Sequence, residues 1–133
     1  METVIFACIH NAGRSQMAAA FFNKYADPKK AIAISAGTQP ASQIHSEVKT
    51  VMDEIEISMT NAQPKLLTPE LAKDAKYLIT MGCKENCPCI PGLKILDWPF
   101  QDPKGQSLGN VRTTREKIKT QVLGFLAQNL WLR

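Results

Sequence analysis

Short apolar runs alternate along this chain with longer segments in which apolar residues recur every three or four positions. The short runs are rich in branched and small apolar residues, which favours β-strands. The predicted strands are Thr3–Ala7, Ala31–Ala36, Lys76–Met81 and Leu93–Asp97. Because helical segments separate them, these strands should form a parallel sheet that is covered on both faces.

The longer segments have the apolar spacing of amphipathic helices, as Ile44, Val48 and Val51 illustrate. A short helix should begin after Thr68, because threonine caps helix N-termini and the proline that follows suits the first turn. The predicted helices are Ser15–Tyr25, Ile44–Glu54, the short helix after Thr68 and Val111–Leu130, and residues 102–110 are expected to form a loop.

The order of these elements predicts an α/β fold with one domain, residues 1–133, a length that suits a single core. The smallest doubly wound arrangement is a three-layer sandwich. It has a four-stranded parallel sheet in the order 2-1-3-4 with helices on both faces. Its ligand site lies beyond the carboxyl ends of strands one and three, so the segments after these strands are the candidates for chemistry.

Charge and hydropathy narrow the possible functions. The formal net charge is +4 and the basic residues are scattered, whereas nucleic-acid-binding proteins usually concentrate them. The longest apolar run, Val4–Ile9, is too short to cross a membrane, and no signal peptide is visible. We therefore expect a cytoplasmic monomer without nucleic-acid or membrane partners, in which the cysteines serve chemistry rather than structural disulfides.

The most informative segment lies between the first strand and the first helix. Cys8 follows the strand, Arg14 and Ser15 begin the helix, and the residues between them are Ile9, His10, Asn11, Ala12 and Gly13. Free backbone N–H groups and the positive end of a helix dipole meet at such a junction. We expect this anion loop (residues 8–15) to bind a tetrahedral oxyanion through residues 9–15 and to favour the thiolate of Cys8.

Several residues of the anion loop have predicted roles. Gly13 is expected to take a left-handed backbone that turns N–H groups inward, and Arg14 offers a planar fork for two oxygens. Ser15 can donate its hydroxyl proton to the Cys8 sulfur, and Asn11 can pin the loop through its side-chain amide. The thiolate could then attack phosphorus or arsenic in the bound anion. Chance spacing is the alternative, and the strand-to-helix context argues against it.

Three further cysteines, Cys83, Cys87 and Cys89, follow the third strand. Adjacent strands lie about 4.8 Å apart, so Cys8 and Cys83 would start near the Cα separation of about 4.4–6.8 Å that a disulfide needs. Cys87 lies four residues beyond Cys83, about 5–6 Å away on a helical turn. Pro88 favours an extended chain before it, which makes Cys83–Cys87 the favoured second disulfide and Cys89 an alternative.

Two other interpretations of these cysteines remain. The three could bind zinc with His10 or Cys8 as a fourth ligand, although the tight Cys-x-Cys spacing fits a zinc site poorly. Cys83 could instead be an inert buried thiol. We predict no metal site.

Asp102 precedes Pro103 in a loop after the fourth strand. It could reach over the anion loop and protonate a departing oxygen. It could equally be a turn aspartate, which is common before proline. The sequence leaves both interpretations open. His45 is expected to start or cap the second helix.

Together these segments resemble the arsenate reductases related to low-molecular-weight protein tyrosine phosphatases, over nearly the whole chain. The anion loop and the cysteine segment are specific in combination, whereas either alone is a weaker signal. The matching segments are Cys8–Ala18, Ser35–Gly37, Thr80–Cys83 with Cys87–Pro88, Asp97–Trp98 and Asp102–Pro103.

The resemblance implies a mechanism. Cys8 attacks arsenate while Arg14 and the loop amides hold the oxyanion, and Asp102 protonates the leaving oxygen. Cys83 then attacks Cys8 and releases arsenite, and Cys87 attacks Cys83. The exposed disulfide is reduced by an external thiol system, thioredoxin in most such proteins or a low-molecular-weight thiol with glutaredoxin in others. No tightly bound cofactor is implied.

The chain departs from some relatives at two positions. Gly13 stands where some carry a cysteine, and Ala19 stands where others use an acidic residue to bind potassium, so we predict no potassium site. The alternative function is a phosphatase that hydrolyses phosphate monoesters through Cys8. The cysteine segment argues against it, as do Lys104 and Gly105, because such phosphatases commonly carry aromatic residues after Asp-Pro.

Overall fold

The computed structural model describes residues 1–82, 93–100 and 102–133. Four parallel strands form one sheet in the order β2-β1-β3-β4, as the sequence predicts. The strands are β1 (Glu2–Cys8), β2 (Ala31–Gly37), β3 (Tyr77–Thr80) and β4 (Lys94–Asp97). The helices are α1 (Arg14–Tyr25), α2 (Ser46–Asp53), α3 (Pro69–Ala72) and α4 (Leu108–Gln128). The predicted α/β fold class is confirmed.

The register of the sheet brings the ends of β1 and β3 together. Ala7 pairs with Thr80, and the Met81 N–H donates to the Ala7 carbonyl at 2.7 Å. On the other side of β1, Cys8 pairs with Gly37 of β2. The anion loop therefore leaves the sheet between two neighbouring strand ends, which is where doubly wound folds bind ligands.

The central strand β1 is buried on both faces of the sheet. Val4, Phe6 and Cys8 belong to a large core shared with α1, α2 and α4, whereas Ile5 and Ala7 belong to a smaller cluster that includes α3. This division follows from strand geometry, because successive side chains point to opposite faces. A strand between two layers requires the continuous apolar run that the sequence has here.

An aromatic cluster closes the large core at the C-terminus. Phe22 of α1 packs edge-on against Phe6 at 5.9 Å and against Trp131 at 6.2 Å between ring centroids. Trp131 also packs against Phe125 of α4 at 5.9 Å. The Asp27 N–H donates to the Trp131 carbonyl at 2.7 Å. The C-terminal residues are thus held against the end of α1.

The last helix begins earlier than predicted. The Ser107 hydroxyl accepts a hydrogen bond from the Asn110 N–H at 3.1 Å, so the helix is capped at Ser107 and begins at Leu108. The prediction that residues 102–110 form a loop is therefore wrong for residues 108–110. Within the residues described, neither this helix nor any other is long and apolar enough to cross a membrane.

The starts of α2 and α3 have different caps. Helix α2 begins at Ser46 rather than at Ile44. His45 occupies its N-cap position, but the His45 side chain makes no capping hydrogen bond. Helix α3 has the predicted cap, because the Thr68 hydroxyl accepts from the Leu71 N–H at 3.1 Å.

A carboxylate ties the C-terminal end of α2 to α4. Glu54 accepts hydrogen bonds from Arg112 Nε at 2.9 Å and Nη2 at 2.6 Å, and from Arg115 Nη1 at 3.0 Å. The hydrogen bond from Arg112 lowers the pKa of Glu54 below its usual range. Exposed pairs of this kind contribute little stability singly, but this network fixes the end of α2 relative to α4.

Replacing Phe22 with alanine should lower the free energy of unfolding by about 3–5 kcal/mol, because it removes a fully buried ring from between two aromatic neighbours. Urea unfolding followed by tryptophan fluorescence would measure this. Leu130→Ala is the control, since Leu130 is largely exposed and its truncation should change stability by less than about 0.5 kcal/mol. Equal effects of the two substitutions would contradict the core described here.

Candidate active site

The Cys8 side chain lies at the buried base of the anion loop. Its Sγ is 2.8 Å from Ser15 Oγ, on the first turn of α1. Ser15 Oγ also accepts a hydrogen bond from Asn11 Nδ2 at 2.7 Å. The Ser15 hydroxyl, which accepts from Asn11, can also donate its proton to the Cys8 sulfur.

Asn11 shapes the loop. Its backbone has φ of 50°, a left-handed conformation that asparagine tolerates better than most residues. Its Oδ1 accepts from Gln16 Nε2 at 3.1 Å and from the Lys65 N–H at 2.9 Å. The predicted pinning by Asn11 is therefore present. The prediction of a left-handed Gly13 is wrong, because Gly13 has φ of −143° and the positive φ falls on Asn11.

Gly13 is needed for a different reason. A Cβ built on it would lie 2.6 Å from Pro103 Cγ and 3.4 Å from His45 Cδ2. The loop after β4 and the start of α2 therefore meet the anion loop at this residue. A hydrogen atom is the only side chain that allows so close an approach.

The carbonyl and N–H groups of the loop backbone differ in their hydrogen bonding. The carbonyls of Ile9, His10 and Ala12 accept from N–H groups of Gln39, Ala41 and His45, respectively, at 2.8–3.0 Å. Among the residues that the structure describes, the N–H groups of residues 10–13 donate no hydrogen bond, and α1 has no side-chain cap. Such N–H groups form a site for a negative ligand at the positive end of the helix.

Arg14 connects the anion loop with the loop after β4. Its Nη1 donates to the Phe100 carbonyl at 3.2 Å, and its Nη2 lies 3.9 Å from Asp102 Oδ2. The Arg14 side chain is 9% exposed and that of Asp102 is 46% exposed. Gly82, with φ of 109°, lies beside the guanidinium, and a side chain there would overlap it. Arg14 is thus held at the mouth of the loop.

Asp102 fits both interpretations that the sequence left open. Its Oδ1 accepts from the Lys104 N–H at 3.0 Å, as a turn aspartate does, while its Oδ2 faces Arg14. The structure therefore brings Cys8, Arg14, Ser15 and Asp102 together. Asp102 is the one of these that reaches the site from a distant part of the chain.

Gln16 is a site residue that the sequence reasoning missed. It is buried, and its Nε2 donates to the Asn11 carbonyl at 3.0 Å and to the Gln63 carbonyl at 3.1 Å. It therefore joins the anion loop to the loop before α3. The sequence contains one indication of this role: Gln16 is a long polar residue directly before the apolar residues Met17 and Ala18 in the first turn of the helix.

Two histidine side chains lie beside the backbone of the loop: His10 belongs to the loop, and His45 precedes α2. His10 Nδ1 lies 3.1 Å from the Gln39 carbonyl. Partial burial lowers the pKa of His45, against the opposing effect of the Asp102 and Glu47 carboxylates. At neutral pH His45 is therefore mostly uncharged beside Gly13.

The cysteine segment cannot be placed in this geometry. Cys83, Cys87 and Cys89 lie outside the described residues, so their predicted pairing stays a prediction. Within the parts of the chain that are described, no three His, Cys, Asp or Glu side chains come together as a metal site. This leaves the zinc interpretation of the three cysteines untested.

Residues 3–130 match the family described as low molecular weight phosphotyrosine protein phosphatase, and the chain belongs to this family. A putative arsenate reductase of Halobacterium salinarum is 30% identical over 122 residues, which cover 89% of this chain and 86% of that protein. A glutaredoxin arsenate reductase of Synechocystis is 30% identical over 131 residues, covering 96% of this chain and 98% of that protein.

Solved structures have the same fold. A thioredoxin-dependent arsenate reductase of Corynebacterium glutamicum superposes with a TM-score of 0.82 and 34% identity, over 96% of this chain. This chain spans 61% of the length of that protein. A tyrosine phosphatase of Erwinia amylovora superposes with a TM-score of 0.81 over 99% of this chain and 94% of that one, but its 20% identity supports the fold alone.

Gly13→Ala should lower the free energy of unfolding by about 1–3 kcal/mol, because its new methyl group would overlap the Pro103 ring. In a Pro103→Ala background, where that ring is absent, the loss should be at most about half as large. Urea unfolding of the four proteins in this cycle measures both effects. The same loss in both backgrounds would mean that the contact with Pro103 is not the reason for glycine.

Proposed function

We propose that this protein is an arsenate reductase that uses Cys8 as the nucleophile and passes oxidising equivalents to the cysteines after β3. The observation that carries the proposal is the buried Cys8 sulfur, 2.8 Å from the Ser15 hydroxyl, at the base of a loop whose N–H groups at residues 10–13 donate to no other described residue. Arsenate is a tetrahedral oxyanion, and this arrangement suits both its binding and its attack by a thiolate. The relatives at about 30% identity named arsenate reductase support the choice of substrate.

In the first proposed step, the Cys8 thiolate forms a bond to arsenic. An oxygen of arsenate leaves as water after protonation, for which Asp102 is the proposed donor. Arg14 and the loop N–H groups stabilise the charge on the remaining oxygens. The position of Asp102 Oδ2, 3.9 Å from Arg14 Nη2, supports a role for this carboxyl at the mouth of the loop.

In the second proposed step, the Cys83 thiolate attacks the Cys8 sulfur. The sulfur–arsenic bond breaks and its electron pair moves to arsenic, which leaves as arsenite. Two thiolates thus lose two electrons and arsenic gains two. Cys87 then attacks Cys83 and releases Cys8, and an external dithiol reduces the Cys83–Cys87 disulfide. Thioredoxin and a glutaredoxin system are the candidate reductants, because one relative is named a thioredoxin-dependent arsenate reductase and another a glutaredoxin arsenate reductase.

The deciding assay measures arsenite formed by the purified protein. One arm contains thioredoxin and thioredoxin reductase, and the other contains glutathione and glutaredoxin. Arsenite formation in either arm supports the proposal and identifies the reductant. Hydrolysis of p-nitrophenyl phosphate without arsenite in either arm would favour the phosphatase instead.

Cys8→Ser should lower both arsenate reduction and p-nitrophenyl phosphate hydrolysis by roughly a thousandfold or more, because an alcohol does not ionise at neutral pH. The absorbance of the thiolate near neutral pH should be lower in Cys8→Ser than in the wild type, both with and without sulfate. Turnover retained by Cys8→Ser would refute the assignment of the nucleophile.

Cys83→Ser should stop arsenate reduction and leave phosphate ester hydrolysis within about threefold of the wild type. The reason is that hydrolysis needs only water in its second step, whereas reduction needs a second thiol. Parallel initial-rate assays with arsenate and with the phosphate ester measure the effect of the substitution on each activity. Equal loss of both activities would make Cys83 a structural residue.

Cys87→Ser and Cys89→Ser form a matched pair that separates the two candidates for the final thiol. Cys87→Ser treated with arsenate should accumulate a Cys8–Cys83 disulfide in peptide mass spectra, whereas Cys89→Ser should keep turning over. The reverse result would exchange the roles of Cys87 and Cys89.

A further inference from the structure

The first turn of α2 contacts the loop that carries Asp102. Glu47 Oε2 accepts a hydrogen bond from the Gly105 N–H at 3.2 Å, across 58 positions of sequence, while its Oε1 accepts from the Ser46 hydroxyl at 2.8 Å. Hydrogen bonds from its own backbone N–H, from Ser46 and from Gly105 lower the pKa of Glu47. The carboxylate is therefore ionised at neutral pH, and its bond to Gly105 is charge-assisted.

The segment that Glu47 holds is a tight turn. Asp102 Oδ1 accepts from the Lys104 N–H at 3.0 Å, and the Gln106 N–H donates to the Pro103 carbonyl at 3.1 Å. Gly105 has φ of 73°, which suits glycine. These bonds make residues 102–106, the acid turn, a small unit. A restraint at Gly105 therefore also restrains Asp102, three positions earlier.

The other contacts of the acid turn are weaker. The Asp102–Arg14 distance of 3.9 Å exceeds hydrogen-bond length and the Asp102 side chain is half exposed, so this pair adds little restraint. Pro103 touches the position of Gly13, but a contact between apolar atoms has no preferred direction. Gln106 accepts a hydrogen bond from Asn110 Nδ2 at 3.2 Å, but α4 follows the acid turn directly in the chain. Among the described residues, the bond from Glu47 is the hydrogen bond that joins the acid turn to an element distant in sequence.

Helix α2, which carries Glu47, is joined to neighbouring elements at both ends. Its N-terminus is joined to the anion loop, because the His45 N–H donates to the Ala12 carbonyl at 3.0 Å. Its far end is joined to α4 by Glu54 and Arg112, and Val48 is fully buried beneath its first turns. Glu47 is therefore carried by a helix that is bonded to the loop that holds Cys8.

We propose that Glu47 is a positioning residue, whose carboxylate keeps the acid turn, and with it Asp102, in place over the anion loop. The inference rests on the proposed function, because it assigns Asp102 the proton transfer. It predicts a specific kinetic signature. In the described part of the chain, the Glu47 carboxylate bonds to Ser46 and Gly105 and forms no hydrogen bond or ion pair with Arg14 or with the N–H groups of residues 10–13, so its loss should slow turnover without weakening oxyanion binding.

Glu47→Ala should lower kcat for arsenate about tenfold and leave KM within about twofold, because a small displacement of a proton donor slows the chemical step. Glu47→Gln should recover most of the loss, since its amide oxygen can still accept from the Gly105 N–H. Asp53→Ala is the matched control: it removes one negative charge from the exposed far end of α2, and kcat should not change.

An Asp102→Asn background tests whether Glu47 acts through Asp102. Adding Glu47→Ala to it should change kcat by less than about 1.5-fold, because the proton donor is already absent. A further tenfold loss in that background would overturn the proposal, as would a rise in KM that accounts for the whole effect. Failure of Glu47→Gln to recover kcat would also contradict it.

Two measurements test the hydrogen bond between Glu47 and Gly105, called the tether here, without measuring arsenate reduction. Amide exchange of Gly105, followed by NMR, should be about tenfold faster in Glu47→Ala and unchanged in Asp53→Ala. Inorganic phosphate should bind both variants with wild-type affinity. A wild type that forms no arsenite would refute the proposed function, whereas unchanged Gly105 exchange in Glu47→Ala would refute the tether by itself.

Discussion

The Asn11 side chain is the constraint on which the site depends. Its amide N–H donates to Ser15 at 2.7 Å, and Ser15 lies 2.8 Å from the Cys8 sulfur. Its carbonyl oxygen accepts from Gln16 and from the Lys65 N–H. One buried residue therefore takes the left-handed turn of the loop, holds the Ser15 hydroxyl beside the Cys8 sulfur and joins the loop to the segment before α3. A buried amide that lacks hydrogen-bond partners destabilises the folded state. Loss of one partner in this network is therefore expected to disturb the shape of the whole loop.

Around this loop, the fold gathers elements that are distant in sequence. The parallel register places the end of β1 between those of β2 and β3, and α1 directs its N-terminus at the same point. The start of α2 and the acid turn then close on Gly13, where no larger side chain fits. Arg14 adds its positive charge to a loop whose N–H groups at residues 10–13 donate no hydrogen bond within the described part of the chain. An oxyanion is the ligand that this combination of charge and donors stabilises.

Reductase and phosphatase chemistry share this loop, because arsenate and phosphate have the same shape and charge. The difference lies in how the bond to the Cys8 sulfur is broken. Water suffices for hydrolysis. Reduction requires a second thiol that forms a disulfide with the Cys8 sulfur, so that the sulfur–arsenic bond breaks and its electron pair stays on arsenic. Cys83, Cys87 and Cys89 supply thiols in the segment after β3. The family match therefore accounts for the fold, and the cysteines distinguish the proposed reaction from hydrolysis.

The sequence by itself determined the strands, the strand order, the capped start of α3 and the anion loop at the β1–α1 junction. These depend on periodicity and on residues close together in the chain. Only the tertiary structure decided that Asn11 rather than Gly13 is left-handed, that Gly13 faces Pro103, that Gln16 reaches Gln63, and that Glu47 holds Gly105. Each of these depends on a partner brought close by the packing of the layers, and local pattern contains no information about such a partner. The early start of α4 is the exception: its Ser107 cap is local, and the apolar spacing that begins at Val111 concealed it.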